Sequence, residues 1–132
     1  MLINLKKEYD IKHNGNNIDD KYPELKIENI RNLFESFLEI WGLDFNLACK
    51  IWNLYLNFEN TNLENFKKLK DKTNTETCLN IIRSIFRRRL SFPHIDLDII
   101  WGEYKKWEKD ENEIQKVEKK FNEVIIYYNK FY

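Results

Sequence analysis

An all-α fold, an α-solenoid of antiparallel helix pairs with about two and a half repeats, follows from three features of the sequence. Only three Gly and two Pro occur among 132 residues, fewer than the turns of an all-β domain of this size require. Apolar residues recur at helical spacing along most of the chain. One pair of helix patterns is also written twice at a fixed displacement, which is the mark of a helical-repeat protein.

The elements can be placed in order. Residues 1–21 contain Asn14-Gly15 and Asp19-Asp20 with little periodicity, and they read as a loosely ordered arm with one short helix near Leu2–Tyr9. Residues 22–132 then form one α-helical repeat domain. A first helix opens near Pro23, which suits a first turn, and runs to about Trp41, with Gly42 as its stop. A second spans Asp44 to about Glu59, with Asp44 as N-cap. The Lys- and Asn-rich tract from Asn60 to Thr77 reads as a polar insertion, partly helical through Leu63, Phe66 and Leu69, whose removal the fold should tolerate. A third helix runs from about Glu76 to Phe92 and stops at Pro93. Asp96 caps a fourth that ends near Asp110, and a fifth takes Glu113 to about Tyr132.

The repeat interleaves two helix types. Trp52-x-x-Tyr55-x-x-Phe58-Glu59 recurs as Trp101-x-x-Tyr104-x-x-Trp107-Glu108, displaced by 49 positions. At about 100° per residue, aromatics at i, i+3 and i+6 occupy an arc of roughly 120°. Ala48 and Ile51 fill that arc in one copy, Leu97 and Ile100 in the other. The second type, Ile30-Arg31-x-Leu33-Phe34-x-x-x-Leu38, recurs as Ile82-Arg83-x-Ile85-Phe86-x-x-x-Leu90, displaced by 52. Because the aromatics share their arc with aliphatic residues, they read as packing groups rather than base-stacking platforms. Trp52 and Trp101 are expected to be largely buried.

These patterns resemble the half-a-TPR (HAT) repeat. Trp-x-x-Tyr-x-x-aromatic-Glu is similar to its first helix. The stretch Arg83 to Pro93, with Phe86 and Arg88 in place, is similar to its second, ended by the Pro. Phe86–Glu108, followed by the Ile114-Gln115 helix, most resembles the amino-terminal HAT array of U4/U6 snRNP recycling factors. The resemblance implies a nuclear protein-interaction scaffold in pre-mRNA splicing or snRNP assembly, with splicing or snRNP components as partners. Another HAT scaffold, of the spliceosome core or of mRNA 3′-end cleavage, is the alternative. Direct RNA binding by the helical surface is a third reading.

Charge bears on that third reading. The 22 basic and 22 acidic side chains cancel, so no net field favours nucleic acid. Arg87-Arg88-Arg89 is the one dense basic run, but helical geometry turns each by ~100° from the next. Arg88 stands at the HAT arginine position and is expected to pair with Glu59 or Glu108. Arg87 and Arg89 are the candidates for partner binding, although Arg89 falls on the apolar arc and must snorkel or find an acid.

Catalysis, cofactors and metals have no support. His13 and His94 have no carboxylate, Ser or Cys set beside them for acid–base or nucleophilic work. Glu108, Asp110, Glu111 and Glu113 read as a solvated helix junction. Gly15, Gly42 and Gly102 make no phosphate loop. Cys49 and Cys78 lack companions at metal spacing and read as small apolar residues. The start MLINLKKEYD lacks the apolar run of a signal peptide, and no stretch approaches ~18 apolar residues, so no membrane association and a cytosolic or nuclear compartment are expected. The apolar run Val124-Ile125-Ile126-Tyr127-Tyr128 exceeds what one capping face should show to solvent. It is expected to meet further HAT repeats, a second copy or another partner.

Overall fold

The structure is a computed structural model and describes residues 23–131. The arm expected over residues 1–21, its short helix and His13 lie outside the described residues. The rest comprises five helices: α1 (Pro23–Trp41), α2 (Phe45–Lys68), α3 (Lys72–Arg89), α4 (Leu97–Trp107) and α5 (Glu111–Phe131). They pack as consecutive antiparallel pairs, with no strand among the described residues. The chain divides into two compact units, Met1–Tyr55 and Leu56–Tyr132, and α2 runs through both.

In the first unit, α1 ends where expected. The Gly42 N–H donates to the Leu38 carbonyl at 2.8 Å, and a Cβ on Gly42 would lie 2.3 Å from that oxygen. No side chain fits this approach, so Gly42 is required by close contact rather than by a left-handed backbone. Asp44 caps α2 as expected, its Oδ1 accepting from the Leu47 N–H at 3.2 Å. Ile30, Phe34, Leu38, Ala48, Ile51 and Tyr55 form the buried set. The Phe34 and Tyr55 rings stack at 4.7 Å and 6°.

In the second unit, the expectation for the Asn60–Thr77 tract is corrected. Helix α2 does not end near Glu59 but continues to Lys68, and α3 begins at Lys72 rather than Glu76. Asn62, Leu63 and Phe66 are buried, so this stretch contributes a packed face. Its polarity reflects the opposite face, where Thr61, Glu64, Asn65, Lys67 and Lys68 are exposed. The connection consists of three residues and closes in a Schellman motif. The Asp71 N–H donates to the Phe66 carbonyl (3.0 Å) and the Lys70 N–H to that of Lys67 (3.1 Å). Lys70 takes the left-handed position usually held by Gly, at φ 56°. Asp71 then caps α3, accepting from the Asn74 N–H at 3.1 Å and from its amide Nδ2 at 2.7 Å. Those bonds hold the Asp71 carboxyl below its ordinary pKa.

Helix α3 stops at Arg89, short of Phe92. Pro93 forbids α backbone at Phe92, and His94 draws the end in further. Its Nε2–H donates to the Arg89 carbonyl at 2.8 Å while Nδ1 accepts from the Asp96 N–H at 3.2 Å. Asp96 occupies the N-cap position of α4 without a side-chain cap bond. Helix α4 ends at Trp107, not Asp110. Asp110 instead caps α5, accepting from the Asn112 N–H at 2.9 Å. Cys78, Ile82, Ile85, Leu90, Leu97 and Tyr104 are almost wholly enclosed.

Two backbone substitutions should move stability in opposite directions. Lys70→Gly relieves a left-handed non-glycine residue and should raise stability by about 0.5–1 kcal/mol, whereas Gly42→Ala should lower it by ~1 kcal/mol or more. Chemical denaturation midpoints measure both. Excising residues 61–75, which carry Leu63 and Phe66, should abolish the cooperative transition.

Candidate functional site

The repeat residues gather most fully in the second unit, around one carboxylate. Glu108 follows the last turn of α4 and is 4% exposed. Arg83, on α3, forks onto it: Nε donates to Oε1 at 2.8 Å and a terminal nitrogen to Oε2 at 3.1 Å. The Tyr104 hydroxyl, one turn back on α4, donates to Oε1 at 3.2 Å. The Lys109 N–H donates to Oε2 at 3.2 Å. A carboxylate out of water needs such a full complement of donors.

The electrostatics follow from this arrangement. Burial pushes the Glu108 pKa up, but the Arg83 hydrogen bonds and charge, the Asp110 backbone and the Tyr104 hydroxyl outweigh it, so the net shift is downward. The hydrogen bond to Glu108 holds the Arg83 guanidinium above its ordinary value. Tyr104, fully enclosed, is pushed up to about 12, first by burial and then by the Glu108 charge.

Aromatic rings surround the ion pair. Phe86 packs against Tyr104 at 5.4 Å and Trp107 at 5.7 Å, and Arg83 lies over the Trp107 ring at 5.9 Å. Trp101 stacks on Phe121 of α5 at 4.7 Å and 12°, with Lys105 over its ring at 5.2 Å. Trp52 and Trp101 are half-buried rather than largely buried, and the tyrosines Tyr55 and Tyr104 occupy the deep positions.

The other repeat copy has a related set of residues. Glu59 is buried like Glu108, and Arg31 is buried where its counterpart Arg83 is half-buried. Tyr55 donates across to Glu35 on α1 at 3.0 Å, whereas Tyr104 donates to Glu108 on its own helix. Glu35 aligns with Arg87, whose guanidinium pairs forward with Glu113 of α5. Arg31 is within 3.4 Å of Glu28, one turn back. Phe58 is half-buried in the second unit.

The arginine run separates as helical geometry requires. Arg87 is half-exposed, Arg88 half-buried and Arg89 5% exposed. The interior position of Arg89 does not present it to a partner, and the guanidinium forked onto Glu108 is that of Arg83 rather than Arg88. The acidic stretch is solvated only in part, at the exposed Asp110 and Glu111. Glu108 is buried in an ion pair, Asp110 is a cap, Glu113 holds Arg87, and only Glu111 is an exposed first-turn acid. Arg83 as the ion-pair partner was legible in principle, because Arg31/Arg83 and Glu59/Glu108 recur together. The contacts made by Glu113, Phe121 and His94 have no counterpart in the repeat pattern.

Among the described residues, no group of three or more His, Cys, Asp or Glu is gathered to hold a metal ion. No described helix is long and apolar enough to cross a membrane. A groove of about 380 Å³ lies between the turn after α3 and helix α5, lined by Ser91, Pro93, Lys120, Glu123, Val124 and Tyr127. Beyond it, Tyr127 and Phe131 pack together at 4.6 Å and stay exposed with Ile126.

Glu108→Gln should cost about 2–3 kcal/mol, since it removes the charge while Arg83 keeps its own. The pH dependence has a definite sign. Because folding lowers the Glu108 pKa, its contribution is complete above the ordinary glutamate range and is lost as pH falls through the depressed folded value. Thermal melts should therefore converge for parent and Glu108→Gln in acid and diverge at neutral pH.

The sequence of these helix pairs is similar to that of known proteins. The sequence profile of the Suppressor of forked protein (Suf) family covers residues 11–130. Spliceosome associated factor 3, U4/U6 recycling protein, from Homo sapiens is 29% identical over 84 residues, and so is its Pongo abelii counterpart. The Mus musculus protein is 27% identical over the same length. Each alignment takes in 64% of this chain but 8% of the relative, so the chain corresponds to a small part of those proteins. No solved structure matches it significantly. With 120 of its 132 residues inside that profile, from 11 to 130 inclusive, the chain belongs to the Suf family of HAT repeats.

Proposed function

We propose that the chain is a non-catalytic protein-docking scaffold of a nuclear RNA-processing factor, working in U4/U6 snRNP assembly or recycling. On this reading, residues 22–132 form one HAT α-solenoid domain, preceded by the arm 1–21. The supporting observation is the likeness to a U4/U6 recycling protein over 84 residues, in a chain of Suf-type helix pairs. The geometry is consistent with docking rather than chemistry. Glu108, Arg83 and Tyr104 spend their polar groups on one another, which locks α3 and α4 together. Arg87, at the surface, and the exposed Ile126, Tyr127 and Phe131 supply contact groups for protein partners.

A second reading, a scaffold of another RNA-processing complex, is favoured by the greater breadth of the Suf match. Affinity purification of the tagged chain from nuclear extract decides between the two. The first reading expects U4 and U6 snRNP components in the eluate. Recovery of a different RNA-processing complex selects the second, and recovery of cytoplasmic proteins alone overturns both. RNA binding by the filter method should be weak and nearly independent of salt, because a net-neutral chain neutralises few phosphates.

A further inference from the structure

The turn that leads from one helix type to the other is written twice, as the helices are. Ile40-x-x-Leu43-Asp44, between α1 and α2, recurs as Phe92-x-x-Ile95-Asp96 between α3 and α4. The displacement is 52, the same that relates Ile30 to Ile82. Both copies hold their apolar pair out to solvent: Ile40 is 67% exposed and Leu43 wholly so, Phe92 is 69% exposed and Ile95 73%. Single apolar residues scattered over a surface need no cause, but these are not scattered. Trp41 and Phe45 are exposed beside the first pair and Ile99 beside the second, so two turns carry seven of the eleven exposed large apolar side chains among the described residues.

Neither turn has to move to present them. In the first, the Gly42 and Asp44 N–H groups donate to the Leu38 and Trp41 carbonyls at 2.8 and 3.0 Å, and the Asp44 carboxylate caps α2. In the second, His94 bridges the Arg89 carbonyl and the Asp96 N–H, and the Leu97 N–H donates to the His94 carbonyl at 3.2 Å. Backbone already fixed leaves less to be ordered when a partner binds.

Charge sets the kind of partner. No Lys or Arg stands between Arg31 and Lys50, or between Arg89 and Lys105, while each stretch holds three acids. Glu39 and Asp44 are exposed beside the first apolar pair and Asp98 beside the second. Lys120 of α5 comes near Pro93, but Glu123 accompanies it in the same groove. Apolar groups set among carboxylates repel a phosphate backbone or an anionic lipid surface and attract lysine and arginine. The turn between α2 and α3 has the opposite character, with the exposed Leu69 set among Lys67, Lys68 and Lys70.

Resting on the reading of the chain as a docking scaffold, we propose that the α1–α2 and α3–α4 turns are its recognition tips, each taking a basic segment of a partner protein. A large apolar side chain of that segment packs on Ile40 and Leu43, or on Phe92 and Ile95, while its Lys or Arg meets Glu39 or Asp98. Turns that recur with each repeat are where helical arrays carry their binding groups. A second copy of the chain fits less well. Among the described residues it offers one basic apolar turn for two tips, and a tip-to-turn contact is heterologous, leaving the same surfaces bare on the outermost copies.

The test titrates the full chain with a synthetic amphipathic helix of about 18 residues built from Leu and Lys, followed by amide NMR shifts that read each tip separately. Shifts are expected at both tips, and none with a counterpart in which Glu replaces Lys. Leu43→Ser should weaken binding at the α1–α2 tip about tenfold and leave the other unchanged, and Ile95→Ser should do the reverse. Both side chains lie at the surface, so both variants should melt with the parent. Glu39→Lys should weaken the first tip, whereas Leu69→Ser and Ile126→Ser should weaken neither. Shifts centred on Leu69 or on α5 instead of the tips overturn the proposal, as does equal binding of the Glu counterpart. Self-association of the unliganded chain that Leu69→Ser abolishes assigns the tips to a second copy and overturns it too. Affinity purification from nuclear extract keeps the two readings apart: a Leu43→Ser, Ile95→Ser double variant that still recovers the parent's RNA-processing components removes the tips and leaves the scaffold standing.

Discussion

A carboxylate withdrawn from water is the constraint on which the second unit depends. Glu108 stands where α4 ends, and its backbone N–H still closes the helix onto the Tyr104 carbonyl at 2.8 Å. Its side chain gathers donors from α3, from α4 and from the turn toward α5. An unpaired charge at that depth would be prohibitive, so α3 must present Arg83 at one height and α4 must present Tyr104 one turn back. The aromatic slot closes around these positions: Phe86 meets both Tyr104 and Trp107, and Trp107 carries the guanidinium on its face. Hydrophobic burial supplies the bulk of the stabilisation, and the ion pair fixes the register in which it is obtained.

The connections show why so few glycines and prolines suffice. At Leu69–Asp71, one residue finishes a Schellman turn in the left-handed region and the next caps the following helix. At Glu108–Asp110, the buried glutamate ends one helix and an aspartate starts another. After α3, an imidazole bridges a carbonyl of the departing helix and an N–H of the arriving one. Short polar side chains answer the unsatisfied groups at the helix ends, which permits short links and holds consecutive helices antiparallel.

The two copies of the repeat keep the same deep tyrosine and use it with different acids. Tyr55 and Tyr104 are equally deep, yet one bonds to Glu35 on the neighbouring helix and the other to Glu108 on its own. The position that is Glu35 in one copy is Arg87 in the other, and its charge is directed to Glu113 of α5. A repeat family can vary such pairs freely because each is satisfied locally. The surface a partner would meet then differs from one repeat to the next while the frame is kept.

The sequence by itself determined the helical class, the interleaved helix types, the limits of α1, the Asp44 cap and the family, because apolar periodicity and aromatic spacing are local and survive as pattern. It misled over Asn60–Thr77, where an exposed face rich in Lys and Asn hid the buried stripe of Leu63 and Phe66, and where Lys70 took a glycine's place in the turn. It also set the tryptophans too deep, and of the two acids it offered Arg88, Glu59 and Glu108, the second is held by Arg83. Those matters were decided only by tertiary structure. Which of several arginines reaches a given carboxylate, and how deeply an indole is buried, depends on distances between helices, and periodicity along one helix carries no record of them.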